Sequence, residues 1–483
     1  MPASTPNDIT ADPIERERAL MDRELAPDGN DTPSPHTETE RFGARWTFLS
    51  KLAVALSIGL IAAYLVLWAR TVQEFGGPDK YVRHTDLISV LSGATILWDG
   101  NGPLLYDLET QRDAQFRVRG PIATTNDKLL PYNHLPFEAL VIAPFMDLPY
   151  PLIFAFWTML AGLGIGMSLG MMDGALPGAR PLGWVMSMAA CSYLPLMRGL
   201  MLGQNSPFVL FGLCATYVAL KRGEPGWAGV SLLLVALKPQ ILPLVLLIML
   251  LQREFKALAV FGGLILALSV TAMFLLGPGW PLQYLSLLIG VASWGDTAAI
   301  DPAIMHNWRG LVTNLFGSES PLVTPLYLLL TAASIGIVAL VLWRAGLGRD
   351  WTKQQNESHP RPQNRDLLWA LVGIVALLVS PHLNPHDLTL LIFPAWILGT
   401  YAASGAGGRS LSRAWVAILW AGYAILPLAF AAQGSSRGPA EDNTSIVVVP
   451  SVLLMVGASA LLVWQLTRRQ AEVGIPASYA AIP

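Results

Sequence analysis

Apolar residues in this chain come in blocks rather than on the face of an amphipathic helix. From Phe48 onward, runs of roughly 10 to 20 mostly apolar residues alternate with short breaks rich in Gly, Pro and charge. A helix that is apolar all round belongs in a membrane or deep inside a large protein. Blocks that predict crossings run from about Phe48 to Trp68, Leu152 to Met172, Leu182 to Met197, Pro207 to Leu220, Trp227 to Leu237, Ile241 to Leu251, Leu258 to Leu276, Leu322 to Trp343, Leu367 to Val379, Leu388 to Tyr401, Trp415 to Ala431 and Ile446 to Leu466. That is about twelve membrane helices, several of them short of the usual ~20 residues. Two further runs, Leu87 to Trp98 and His134 to Leu148, are too short to cross and predict juxtamembrane or re-entrant helices on the outer side. The fold class is therefore an all-α polytopic membrane protein.

The polar stretches orient the bundle. Residues 1–45 are rich in Asp, Glu, Pro, Ser and Thr and predict a disordered cytoplasmic tail. The apolar run after Arg45 is too long for a signal-peptide core, and no small-residue cleavage site follows it. Arg41, Arg45 and Lys51 stand before and at the start of the first helix and place the N-terminus inside, so the large loop 71–134 is outside. Alternation from there puts Lys221/Arg222, Arg253/Lys256, the stretch Arg344 to Arg365, Arg409/Arg413 and Arg468/Arg469 inside, while the short outer turns carry only Arg198, Lys238, Arg309 and Arg437. One multi-spanning domain, 46–467, is expected, followed by a cytoplasmic tail, 468–483. No internal repeat is visible, unlike transporters built on inverted repeats.

Composition agrees. Of 483 residues, 53% are hydrophobic and 13% charged, with mean hydropathy +0.48; soluble domains carry about 25% charged residues. A net charge of −2 argues against a nucleic-acid partner. Cys191 and Cys214 both lie in apolar blocks and read as small hydrophobic residues. Nucleotide-phosphate loops and HExxH are absent from the sequence, so a transferred group would not come from a cytosolic nucleotide by a familiar route. No cofactor and no metal are expected.

On this topology the polar exceptions gather at the outer face: Asp86, His134, Gln204, Asn205, Lys238, His306, Asn307, Arg309, His382, His386 and Asp387. Ionisable groups at membrane depth cost roughly 2.5–3.5 kcal/mol each on insertion scales, so a cluster marks a function. Asp86 heads the helix Leu87 to Trp98 and can N-cap it, act in catalysis, or both. Asp107 reads as a turn residue. His134 and Glu138 share a helix face as a structural or a catalytic pair. Lys238 either snorkels to the headgroups or aims a cation at a phosphate. Gln204 and Asn205 follow a glycine at a helix start, where donors hold an anion; a plain cap explains Asn205 equally well. His382 and His386 have a metal-like spacing, but Pro385 between them interrupts a continuous helix.

Taken in order, these segments resemble a known family. They are the Asp86 loop with Tyr106-Asp107, YNHLPFEALVIAPFMDLP, GQNS before an apolar helix, AGVSLLLVALKPQ, HNWRGL and SPHLNPHDLTLLIFP. Together they resemble the GT-C membrane glycosyltransferases of glycosyltransferase family 87, the polyprenyl-phosphate-mannose-dependent mannosyltransferases. The resemblance runs from about Asp86 to Pro394. It implies a GT-C-like bundle and an inverting transferase with a polyprenyl-phosphate-linked sugar as donor. The acceptor would be a glycolipid or cell-envelope glycan at the outer face of the plasma (inner) membrane, among membrane lipids. By family position Asp86 is the general base. Lys238, Arg309 and the histidines are the candidate donors to the leaving phosphate, and the remaining outer-face residues complete a substrate-binding set. A transporter or lipid flippase, and a membrane scaffold without activity, are the rival classes.

Overall fold

Every regular element among the described residues is helical. The structure, a computed structural model, describes residues 51, 54–66, 85–119, 129–176, 183–290, 301–344, 364–405, 408–435 and 445–473. The chain divides into two compact units, Met1–Ala53 and Val54–Pro483. Only Lys51 is described in the first; all other described residues belong to the second. The expected tail 1–45 lies outside the described residues, as do residues 71–84 and 120–128 of the loop 71–134 and the basic stretch 345–363.

In chain order the helices are α1 (Val54–Val66), α2 (Leu87–Trp98), α3 (Leu108–Arg119), α4 (Pro136–Ile142), α5 (Tyr150–Ala175), α6 (Gly183–Cys191), α7 (Leu194–Leu202), α8 (Ser206–Lys221) and α9 (Pro225–Val235). They continue with α10 (Leu242–Leu251), α11 (Phe255–Leu276), α12 (Trp280–Gly290), α13 (Trp308–Phe316), α14 (Val323–Arg344) and α15 (Asn364–Val379). A 3₁₀ segment, Pro385–Leu391, leads into α16 (Ile392–Ser404), and α17 (Gly408–Ser435) and α18 (Ser445–Val473) close the series.

Among the described residues five helices are long and apolar enough to cross a membrane: Tyr150–Ala175, Phe255–Leu276, Val323–Arg344, Pro385–Ser404 and Val447–Arg468. The pair α6–α7, bent by 47°, makes a sixth if it is one broken span. The protein is thus a multi-pass membrane protein, but twelve full-length crossings are not what the helices show. The expected crossings 207–220, 227–237, 241–251 and 367–379 are helices of 16, 11, 10 and 16 residues. At 1.5 Å per residue the longest of these reaches about 24 Å, short of the ~30 Å hydrocarbon core.

Of the short helices, α8, α15 and α16 are deeply buried. On α15 every residue from Arg365 to Leu378 is buried, and most of α8 and α16 is buried too. The long helices α11 and α14 are largely exposed, with Phe274 85% and Trp343 76% accessible. Lipid is as apolar as they are, so length and hydropathy suffice on the outside, while inside the polar groups find protein partners.

The helices between Leu87 and Ile142 pack on one another. The α2 helix has the predicted bounds, but nine of its twelve residues are buried, against α3 and α4. Asp107 is the expected turn residue: its carboxylate accepts from the Thr110 N–H at 2.8 Å and hydroxyl at 2.7 Å at the head of α3. Those bonds lower its pKa. Further along α3, two buried glutamines hold an extended stretch as a strand would. Gln111 accepts from the Tyr132 N–H at 2.8 Å and donates to the Leu105 carbonyl at 2.8 Å and the Tyr132 carbonyl at 3.3 Å. Gln115 accepts from the Leu130 N–H at 3.2 Å and donates to the Leu130 carbonyl at 3.0 Å. The replacement Gln111→Leu keeps the volume and strands these buried backbone groups. It is expected to destabilise the protein by about 1–3 kcal/mol, and thermal unfolding in detergent measures it; an unchanged melting point would mean the strap is not needed.

Candidate active site

Asp86 stands where the chain turns into α2, but it does not cap the helix. Its backbone is helical (φ −69°, ψ −18°) and its carboxylate makes no bond to the first turn. A cap requires an extended residue whose oxygen meets the N–H groups behind it. Instead Oδ2 accepts from Gln204 Nε2 at 2.5 Å and lies 3.9 Å from His386 Nδ1. The side chain is 27% exposed, which leaves it open to a reactant.

Gln204 reaches Asp86 because of the glycine before it. Gly203 ends α7 in the left-handed conformation at φ +66°. A Cβ there would lie 2.8 Å from the Leu87 Cβ, so a larger residue would push the turn off α2. The Trp157 indole N–H donates to the Gly203 carbonyl at 2.9 Å and fixes the turn from the other side.

The next residue, Asn205, precedes α8 without capping it through its side chain. Its amide nitrogen faces both Glu138 oxygens at 3.2 and 3.3 Å and the Leu237 carbonyl at 3.2 Å, with His134 Nδ1 at 3.3 Å. Its own oxygen is buried without a hydrogen-bond partner. Glu138 is buried and pairs with His134 at 3.0 Å.

Three tyrosine hydroxyls fix His134 by donating to successive carbonyls. Tyr284 donates to Asn133 at 3.4 Å, Tyr106 to His134 at 3.1 Å and Tyr132 to Leu135 at 2.5 Å. Burial raises the pKa of all three phenols, which keeps them protonated as donors.

Lys238 follows the end of α9 and is buried, not snorkelling. Its ammonium lies 2.7 Å from Asp387 Oδ1. Ser206 donates to the same oxygen at 2.9 Å, and the other oxygen accepts from the Asn384 N–H at 2.9 Å in a capping box. His386 sits between the two carboxylates, with Nε2 3.6 Å from Asp387 Oδ1. Two clusters result, Asp86–Gln204–His386–Asp387–Lys238 and His134–Glu138–Asn205, joined into one network through the chain at Gln204-Asn205 and at Leu237-Lys238.

The profile of glycosyltransferase family 87 matches residues 132–381, just over half of the 483. The chain belongs to glycosyltransferase family 87. It is also similar to a protein of Mycobacterium tuberculosis (strain CDC 1551 / Oshkosh), the polyprenol-phosphate-mannose-dependent alpha-(1-2)-phosphatidylinositol pentamannoside mannosyltransferase. The two are 26% identical over 378 residues, which cover 73% of this chain and 81% of that one. No solved structure matches. The family match holds His134, Gln204, Asn205, Lys238, His306, Asn307 and Arg309; it stops short of Asp86, His382, His386 and Asp387. In the glycosyltransferase those outlying residues meet the matched ones in space.

The remaining candidates frame the network. His306 is buried; its Nδ1 lies 2.5 Å from the Ser451 hydroxyl and its N–H donates to the Leu383 carbonyl at 3.2 Å. Asn307 is the side-chain cap of α13, accepting from the Gly310 N–H at 2.8 Å while donating to the Ser380 carbonyl at 2.8 Å. Together they fasten the loop before α13 to the loop after α15. The His382 carbonyl accepts from the Ser380 hydroxyl at 2.6 Å, and its ring lies 3.4 Å from the Asn384 amide. Arg309, in the first turn of α13, is half-buried; its charge acts on His382 and Tyr327. Among the described residues no three His, Cys, Asp or Glu side chains group as a metal-holding set. Ser206 and the three tyrosines were not candidates from the sequence. Ser206 carried a signal, since it directly follows Gln204-Asn205, whereas the tyrosines act only through folding.

Two outcomes test this account. Asp387→Asn leaves the Lys238 charge buried and uncompensated, and Lys238→Met does the same to Asp387. Each is expected to cost about 3–5 kcal/mol, with the double replacement costing less than the sum. Thermal unfolding of the detergent-purified variants measures this; additive losses would deny the coupling. The second concerns pH. Burial pulls His306 down to about 3 and His382 to about 4 from an ordinary 6.5. At neutral pH they are uncharged in both folded and unfolded chains. Below about 6.5 the unfolded chain gains protons that the folded one does not, so stability falls towards pH 4. The double variant His306→Gln/His382→Gln should flatten the melting-temperature profile between pH 6.5 and 4; an unchanged slope would refute this origin.

Proposed function

We propose that this glycosyltransferase is an inverting mannosyltransferase. It would move mannose from a polyprenyl-phosphate donor to a lipid or cell-envelope glycan acceptor, on the extracytoplasmic face of the plasma membrane. The observation that carries the reading is the Asp86 carboxylate: partly exposed, one oxygen held by Gln204, and lodged in the polar network of a family 87 enzyme. The donor is supported by the relative, whose name gives polyprenol-phosphate-mannose.

In this reading the acceptor hydroxyl approaches Asp86. Its oxygen bonds to the anomeric carbon as its proton passes to the carboxylate, and the anomeric carbon–oxygen bond to the lipid phosphate breaks on the far side. A positioned base is worth typically 10²–10⁴-fold. The polyprenyl phosphate departs as an anion that needs no proton, so fixed positive charge matters more than an acid. Lys238 already balances Asp387. Arg309 makes no ion pair among the described residues and its charge acts on His382, so it is the better candidate for the phosphate, with the histidines His134, His306, His382 and His386 as further donors.

The outer face is supported by charge. The network occupies the Ser206 end of α8, and Lys221, next to Arg222, stands at the other end. Basic residues concentrate on the cytoplasmic side.

The deciding experiment is transfer of radiolabelled mannose from polyprenyl-phosphate-mannose to endogenous lipid acceptors in membranes. Wild type is compared with Asp86→Asn at matched expression. Incorporation by wild type and at least a ~100-fold loss in the variant are expected. Incorporation that survives the replacement would remove Asp86 as base; none with wild type would remove the donor.

A further inference from the structure

Asp86 and Gln204 are 118 positions apart, yet their contact is the shortest side-chain link in the network. Three features converge on it. Asp86 occupies the N-cap position but leaves the helix N–H groups alone. The Gly203 turn can approach α2 only because it lacks a Cβ, and Trp157 clamps its carbonyl. Among the described residues the second Asp86 oxygen, Oδ1, has no hydrogen-bond partner, while Oδ2 faces both Gln204 and His386. A carboxylate with one oxygen anchored cannot spin about its Cβ–Cγ bond, so the same oxygen always faces outward.

We infer that Gln204 is the positioning residue of the base: its amide holds Oδ2 so that Oδ1 alone receives the acceptor proton. This rests on Asp86 acting as the base. Gln204 then touches Asp86 and not the substrate, in place of the substrate-binding role its sequence position suggested. A misplacement of about 1 Å costs on the order of 100-fold in rate, so the contact should be read in kcat.

The test is a length swap. Gln204→Asn withdraws the amide by one methylene, and Asp86→Glu advances the carboxylate by one. Initial rates are taken with purified enzyme, polyprenyl-phosphate-mannose and extracted membrane glycolipid. Each single variant should lose about 10- to 100-fold in kcat with the donor KM within about twofold. The double variant should recover at least ~10-fold over the poorer single. Gln204→Met, of equal length but without a donor, should lose as much as Gln204→Asn and gain nothing from Asp86→Glu. Melting points near wild type confirm that the variants fold, as the turn is held by Gly203 and Trp157. Multiplicative losses, or a loss in donor KM with kcat intact, would overturn the inference and leave the base assignment standing. An active Asp86→Asn enzyme would remove both, and is read in the same assay.

Discussion

A lysine and an aspartate cannot be taken out of water separately. The Lys238–Asp387 pair is nearly dry, and its attraction survives because the remaining lone pairs are filled by Ser206 and the Asn384 N–H. The pair joins the break after α9, the start of α8 and the segment leading into α16. Those three pieces carry the other network members: Leu237 meets Asn205, Asn205 meets Glu138 and His134, and His386 meets Asp86. Remove the pair and three independent chain ends lose their common point. Its worth is therefore less in net stability than in register: it decides which side chains face one another.

A second polar layer closes the far end of the same helices. Tyr217 donates to Asp366 at 2.5 Å, and Lys221 reaches the same oxygen at 2.9 Å. Arg365 pairs with Glu254 at 3.1 Å. Between the layers lie α8 and α15, each 16 residues, or about 24 Å. Helices with a polar anchor at each end and an apolar middle can slide neither up nor down in the bundle. The long helices α11 and α14 present largely apolar, exposed faces, and lipid accepts any rotation of an apolar cylinder.

Much of this was legible in the sequence, for stated reasons. The bounds of α2 followed from an apolar run ending in Asp99-Gly100-Asn101-Gly102, and membrane character followed from composition. The gathering of polar exceptions was visible because such residues are rare in apolar blocks. What could not be read was partnership. Periodicity shows a residue's own helix, not the residue it meets across a bundle, so Lys238 looked fit for headgroups or a phosphate, and its aspartate partner stayed hidden. The capping reading of Asp86 failed for the same reason: local geometry allows it, and Gln204, distant in sequence, competes for the carboxylate. Crossing counts were obscured because hydropathy cannot separate a short helix dissolved in protein from one dissolved in lipid.

Those short helices explain how charged chemistry comes to lie among apolar segments at all. A continuous helix through 225–251 would seal every backbone group and point Lys238 into its own neighbours. Instead α9 ends at Val235 and α10 begins at Leu242. The interruption frees carbonyls that would be intolerable in lipid. Here the Leu237 carbonyl accepts from Asn205, and the Lys238 carbonyl from the Ile241 N–H at 3.0 Å. The break is thus tolerable only where α8 and the 3₁₀ segment before α16 already supply partners, and it in turn delivers the ammonium to Asp387. Break and network each require the other, which is why Asp86, Gln204, Asn205, Lys238 and Asp387 fall at helix ends and breaks.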